Sequence, residues 1–99
     1  MQIQDKLYVV TRKDLSKSQQ AVQAGHALAE YLLKNNTHWS NGTLVYLKVN
    51  DEDELKSLTA LLKHGKIHYT SFKEPDFNNQ LTAIASLGSN DYFANMSLL

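Results

Sequence analysis

The chain has 99 residues, of which 42% are hydrophobic and 20% charged, and its formal net charge at pH 7 is zero. This length fits a single domain whose core is large enough for folding without metal ions or disulfides. Cysteine is absent, which excludes thiolate sites and suits a reducing compartment. The neutral net charge predicts no protein-wide attraction to nucleic acid, so any RNA contact must come from a local patch.

The amino terminus lacks the basic and then apolar pattern of a secretory signal peptide. No apolar run approaches the ~20 residues that a membrane span needs. We therefore expect a soluble, cytoplasmic protein that does not contact membranes.

The first predicted strand, Lys6–Arg12, contains a short apolar run that is typical of a strand covered on both faces. A helix follows over about residues 16–35, and its first turn has Ser16 and Gln19 at the spacing of a capping box. Small residues and leucines form an apolar stripe that would let this helix approach a sheet closely, namely Ala21, Gly25, Leu28, Ala29 and Leu32.

The second half of the chain predicts three more strands and one helix. A strand at Leu44–Val49 precedes a helix over residues 51–64, with Asn50 as its predicted cap and leucines 55, 58, 61 and 62 as its buried stripe. Further strands are predicted at residues 67–72 and 81–87, the last alternating Leu81, Ala83, Ala85 and Leu87 with Thr82, Ile84 and Ser86. The order β-α-β-α-β-β predicts an α/β fold, a single domain with one mixed four-stranded sheet flanked by helices.

The junction between the first strand and the first helix is the first candidate site. In open sheets of this kind, ligands bind at the carboxyl ends of strands, near helix amino termini. Arg12, Lys13 and Lys17 lie there together with the free amides of the helix start, which suits a phosphate or a carboxylate. The alternative is an ordinary capped helix with solvated charges.

Two further groups of polar residues have the types needed for proton transfer. Gln23 and His26 are three apart on the first helix and share a face, and the pKa of histidine lies near neutrality. Asp76 and Thr82 supply a carboxylate and a hydroxyl at the start of the fourth strand, where they could orient a water. The alternatives are a histidine bonded to backbone at a helix boundary and ordinary turn chemistry beside Pro75.

The sequence predicts no metal site and no cofactor. The four histidines show no ligand-pair spacing on a regular helix. A glycine-rich phosphate loop and a Gly-x-Ser-x-Gly elbow are both absent, so nucleophilic serine catalysis has no support.

Two segments, residues 8–15 and 21–27, resemble the opening signature of the type 2 peptidyl-tRNA hydrolases. They read Tyr-Val-Val-Thr-Arg-Lys-Asp-Leu and Ala-Val-Gln-Ala-Gly-His-Ala. The likeness continues through Trp39, Gly42, the second strand and residues 51–55. It resumes at residues 81–85 and in the Leu98-Leu99 ending, so it spans nearly the whole chain in the same order.

The resemblance implies hydrolysis of the ester between a peptide and the 3′ end of tRNA, with a water attacking the carbonyl and no metal or other cofactor. Gln23, His26 and Thr82 match the family's polar site residues, and Lys17 matches the first lysine of its lysine-rich segment. The family's second lysine falls on Gln19, the position of its aspartate falls on Asn78, and the loop before the helix is shorter here. Asp76 is the carboxylate that would replace that aspartate.

Two functions follow from these residues. The first is hydrolysis of peptidyl-tRNA by Lys17, His26, Asp76 and Thr82, with the substrate bound by Arg12, Lys13, Gln19 and Gln23. The second is a non-catalytic role in binding an RNA end, a nucleotide or a protein partner, which the neutral charge and the changes at Gln19 and Asn78 favour. Exposed sheet edges and the apolar tail would also permit a homodimer.

Overall fold

The computed structural model describes residues 6–35, 39, 42–88 and 91–99. The strands are β1 (Lys6–Arg12), β2 (Leu44–Val49), β3 (Thr70–Glu74), β4 (Gln80–Gly88) and β5 (Ser97–Leu98). The helices are α1 (Lys17–Lys34) and α2 (Glu52–His64), and short 3₁₀ turns lie at Pro75–Phe77 and Asp91–Phe93.

One mixed sheet has the strand order β3-β4-β1-β2-β5. The β1 and β2 strands are parallel, and the other three pairings are antiparallel. The α/β class and the mixed sheet are therefore confirmed, but the prediction of four strands is wrong. The fifth strand has two residues and pairs with Leu47 and Lys48 of β2, and so short a segment has no detectable periodicity.

The helix ends follow local capping chemistry. Ser16 caps α1, its hydroxyl accepting a hydrogen bond from the Gln19 amide at 3.2 Å. The cap of α2 is Asp51, whose carboxylate accepts from the Glu54 amide at 3.0 Å, so the prediction of Asn50 as cap is wrong by one residue. Among the described residues, neither helix is long and apolar enough to cross a bilayer.

Each helix covers one face of the sheet and encloses its own core. The core under α2 is larger and is built from Val10, Leu47, Leu55, Leu58, Leu62, Leu81, Ile84 and Phe93. The core under α1 consists mostly of smaller side chains, namely Leu7, Val9, Ala24, Ala27, Tyr31, Ala83 and Ala85. Because alanines face alanines there, α1 lies close to β1 and β4.

The buried face of α1 differs from the predicted stripe. Gln23, Ala24, Ala27 and Tyr31 are buried, whereas Leu32 of the predicted stripe is 41% exposed. The helix is rotated because Tyr31 enters the core and Gln23 finds a hydrogen-bonding partner in the sheet. Leu61 of α2, also predicted to be buried, is 56% exposed.

Candidate functional site

A β-bulge in β4 lies at the centre of the candidate site. Phe72 pairs with Ala83 and Lys73 pairs with Leu81, so Thr82 is an extra residue on β4 without a partner on β3. The bulge interrupts the alternation predicted for this strand. Leu81 and Ile84 both pack in the α2 core, whereas Ala83 packs under α1 and the Thr82 side chain contacts α1. Bulges of this kind redirect side chains and are common beside active sites.

Side chains from β1 and α2 bind the backbone groups that the bulge leaves unpaired. The Thr11 hydroxyl donates to the Thr82 carbonyl at 2.8 Å, and the Arg12 guanidinium donates to the Leu81 carbonyl at 3.1 Å. The Glu52 carboxylate accepts from the Leu81 amide at 2.9 Å. Since unpaired backbone groups are costly in a buried position, these contacts hold the bulge in place.

A buried chain of hydrogen bonds runs from the bulge to the surface of α1. The Thr82 hydroxyl donates to the Gln23 side-chain oxygen at 2.7 Å, and both residues are fully buried. The Gln23 amide in turn donates to the Gln19 side-chain oxygen at 3.1 Å. Gln19 is half-buried, so the chain ends at the solvent boundary beside the first turn of α1.

Arg12 is buried, and its side chain binds other groups of the protein. Its side chain forms a bidentate pair with Asp14 at 2.9 and 2.8 Å and donates to the Gln80 side chain and the Leu81 carbonyl. Four of its five N–H groups are therefore engaged within the protein. The hydrogen bond from Arg12 holds the pKa of Asp14 below its usual value, and the same bond raises the pKa of the guanidinium.

The two lysines of the site are exposed and lie at the start of α1. Neither Lys13 nor Lys17 forms an ion pair with any of the residues that the structure describes. The first turn of α1 has no acidic residue, and the nearby Asp14 carboxylate is paired with Arg12. The Gln20 amide holds the preceding loop by donating to the Leu15 carbonyl at 2.8 Å. This corner is therefore locally cationic although the chain is neutral overall.

His26 is exposed and stacks on Phe72 of β3. The ring centroids lie 4.3 Å apart, and the ring planes differ by 2°. Phe72 also links this stack to the bulge, because its carbonyl oxygen lies 3.2 Å from the Thr82 hydroxyl oxygen. The histidine is thus held by its ring face against Phe72.

Asp76 lies in the 3₁₀ turn before β4 and is exposed. Its carboxylate forms no hydrogen bond or ion pair with the residues described. Asn78 and Asn79 follow with left-handed backbones, φ being 55° and 59°. Asparagine tolerates this conformation better than most residues, so the two asparagines shape the turn into β4.

The structure thus connects some of the predicted site residues directly and leaves others apart. Thr82, Gln23 and Gln19 form one chain, and His26 adjoins it through Phe72. The catalytic and binding roles predicted for all of these residues stay predictions. No local pattern in the sequence marks Thr11, Glu52 and Gln80 as site residues, because each acts through a contact with a residue far along the chain.

Among the described residues, no group of three histidine or acidic side chains could hold a metal ion.

A comparison with protein families matches residues 5–90 to the model of peptidyl-tRNA hydrolase PTH2. The chain belongs to the PTH2 family. The matched region contains the bulge, the buried hydrogen-bond chain and both lysines of the site.

A solved structure with a similar fold is a protein of unknown function, Atu0240, from Agrobacterium tumefaciens strain C58. It is 11% identical to this PTH2 family member, with a TM-score of 0.73 and 99% of each chain covered. At this identity the likeness extends to the fold alone. No curated protein matches the sequence.

Proposed function

We propose that the chain hydrolyses the ester between a peptide and the 3′ end of tRNA, or a related acyl-RNA ester. The observation that carries the proposal is the family match over residues 5–90, which includes every residue of the candidate site. The cationic corner at the start of α1 supports it, because the RNA half of such a substrate is an anion.

The lysines bind the RNA and stabilise the charge that develops on the ester. In this mechanism Lys13 contacts the phosphate backbone, and Lys17 lies beside the carbonyl oxygen as it becomes an oxyanion. Neither cation is neutralised by an ion pair within the described part of the chain, so both are available to a ligand. Arg12 acts as a positioning residue, because it holds the bulge and leaves one N–H group for the substrate.

The attacking water is activated by the polar groups around the bulge. Asp76 serves as general base, and His26 donates a proton to, or accepts one from, the reacting groups at the edge of the site. Thr82 orients Gln23, and Gln23 orients Gln19 toward the substrate. Catalytic hydrogen bonds are commonly incomplete before substrate binds, which is consistent with the unpaired Asp76 carboxylate.

The proposal is tested by incubating the purified protein with peptidyl-tRNA and measuring release of free tRNA. Turnover that depends on Lys17, but not on the exposed Lys63 at the end of α2, is the expected result. A folded sample with no release above the buffer rate would overturn the enzymatic proposal.

The second candidate is a non-catalytic relative that binds an RNA end. The complete burial of Thr82 and the lack of any hydrogen bond or ion pair to the Asp76 carboxylate within the described residues favour it. Titration with tRNA at two salt concentrations separates the two candidates. Salt-sensitive binding without cleavage supports the second, and an absence of binding rejects it.

A further inference from the structure

A groove of about 510 Å³ lies on the α2 face of the sheet and adjoins the candidate site at Lys13. It lies between α2, the end of β2 and the carboxyl-terminal segment, since all three contribute residues to its lining. Val49, Leu58 and Met96 form its apolar part. A volume of this size is typical of sites that bind small molecules or short segments of chain.

The charges around the groove cancel. Lys13 and Lys48 line it together with Asp53 and Glu54, so two cations face two carboxylates. For a polyanion, the attraction to the two lysines is therefore offset by the repulsion from the two carboxylates. At the start of α1, Lys17 adds a cation that has no carboxylate paired with it among the described residues, so the balance of charge there is positive. The two surfaces therefore select different halves of a substrate that is anionic at one end only.

The polar side chains of the groove suit an amide backbone. Ser57 and Asn95 line it, and neither side chain forms a hydrogen bond within the part of the chain that the structure describes. A hydroxyl and a primary amide donate to and accept from peptide groups. Met96 is unbranched and adapts to differently shaped side chains, which suits a ligand of variable sequence.

We propose that this groove binds the peptide half of the substrate, while the lysines at the start of α1 bind the RNA half. The inference rests on the proposed function and adds the direction in which the substrate lies. Lys13 lines the groove and also directly follows β1 beside the bulge, so the two surfaces meet at this residue. The scissile ester then lies between Lys13 and Lys17, with the peptide running along α2.

The test uses Leu61, which lines the groove and is 56% exposed, so a charged residue is tolerated there. The Leu61→Glu variant is compared with Leu33→Glu, which adds the same charge to an 86% exposed position on α1. The ligands are an uncharged, N-acetylated tripeptide amide of alanine and leucine and, separately, deacylated tRNA. Binding is followed by amide chemical shifts in the NMR spectrum, which also show that each variant is folded.

In the unmodified protein we expect saturable peptide shifts confined to the groove. We expect Leu61→Glu to weaken peptide binding at least tenfold and Leu33→Glu to leave it unchanged, with equal tRNA affinity in the two variants. Peptide shifts elsewhere, no saturable shifts, or a selective loss of tRNA affinity in Leu61→Glu would overturn the inference. None of these binding measurements requires turnover. If peptide binding is intact but the cleavage assay shows no activity, only the proposed hydrolysis is contradicted.

Discussion

The Thr82 hydroxyl donates a 2.7 Å hydrogen bond to the Gln23 side-chain oxygen, and neither residue is exposed to solvent. A glutamine on the sheet-facing side of a helix would be unfavourable without such a partner, because its amide loses water on folding. The bond therefore joins α1 to the bulge in β4, and it fixes which side of the helix faces the sheet.

The Thr82→Val substitution should lower the free energy of unfolding by about 1–3 kcal/mol, because it leaves the buried Gln23 oxygen without its strongest donor. Replacing both partners, in Thr82→Val with Gln23→Met, should cost less than the sum of the single changes. Urea denaturation of the four proteins measures this coupling. Simple additivity would contradict the role given to the bond.

The Arg12–Asp14 pair predicts a stability difference that depends on pH. Its hydrogen bond lowers the pKa of Asp14 in the folded state, so the paired carboxylate stabilises the protein above the ordinary value of 3.8. That stabilisation is lost as the pH falls through the lowered pKa. The Asp14 side chain is 41% exposed, so a difference of about 0.2–1 kcal/mol from Asp14→Asn is expected at neutral pH.

Unfolding measurements on the two proteins between pH 2 and pH 7 check this prediction. The gap between them should narrow at the acidic end. A gap that stays constant over the whole range would mean that the Asp14 charge contributes nothing.

Lys17→Ala should slow peptidyl-tRNA cleavage by about 100-fold, which is the usual loss when an oxyanion-stabilising group is removed. It should also reduce the salt dependence of tRNA binding by about one unit of slope. Lys63→Ala removes the same charge from the far end of α2 and serves as the control. Equal effects of the two substitutions would show that only net charge matters.

Asp76→Asn should lower the cleavage rate by about 100-fold or more while leaving tRNA affinity unchanged, since a general base acts in the chemical step. Glu30→Gln neutralises a carboxylate on the surface of α1 that pairs with Lys34, outside both proposed binding surfaces, and serves as the control. Rates under single-turnover conditions separate the chemical step from binding. Undiminished cleavage by Asp76→Asn would assign the base to another group.

The two glycines at 25 and 65 should respond oppositely to alanine. A Cβ on Gly25 meets no atom beyond its own helix, so Gly25→Ala should stabilise α1 by about 0.5–1 kcal/mol. A Cβ on Gly65 would overlap the Tyr92 hydroxyl, so Gly65→Ala should destabilise the protein by about 1 kcal/mol. Thermal unfolding measures both effects, and the Gly65→Ala cost should vanish in a Tyr92→Ala background.

Much of the fold could be predicted because it depends on local chemistry. The serine cap of α1 and the apolar run of β1 are local signals that the structure confirms. The third strand was predicted at residues 67–72 but is Thr70–Glu74, because the exit from α2 continues through Ile67, whose amide bonds to Leu62. That contact lies at the carboxyl end of α2, and no periodic pattern in the sequence predicts it.

The candidate site was predicted less completely, because its geometry depends on pairing between distant segments. The residues Gln23 and Thr82 were identified, but not the bond between them across 59 positions of the chain. The charge of Arg12 predicts a role in binding the substrate. In the structure the residue is buried, because its guanidinium binds the Leu81 carbonyl at the bulge. A bulge depends on the register in which two strands pair. The composition of the strands does not determine that register.

The extra residue at Thr82 also constrains the length of β4. Because it inverts the in-and-out alternation, the strand consists of two halves in opposite phase, so that Leu81 before the bulge and Ile84 after it both face the α2 core. Removing one residue here would restore a regular strand and turn Leu81 away from the α2 core. A deletion in this region would exchange the two faces of β4 between the preceding turn and the deleted residue. We therefore expect such a deletion to destabilise the fold more than any single substitution does.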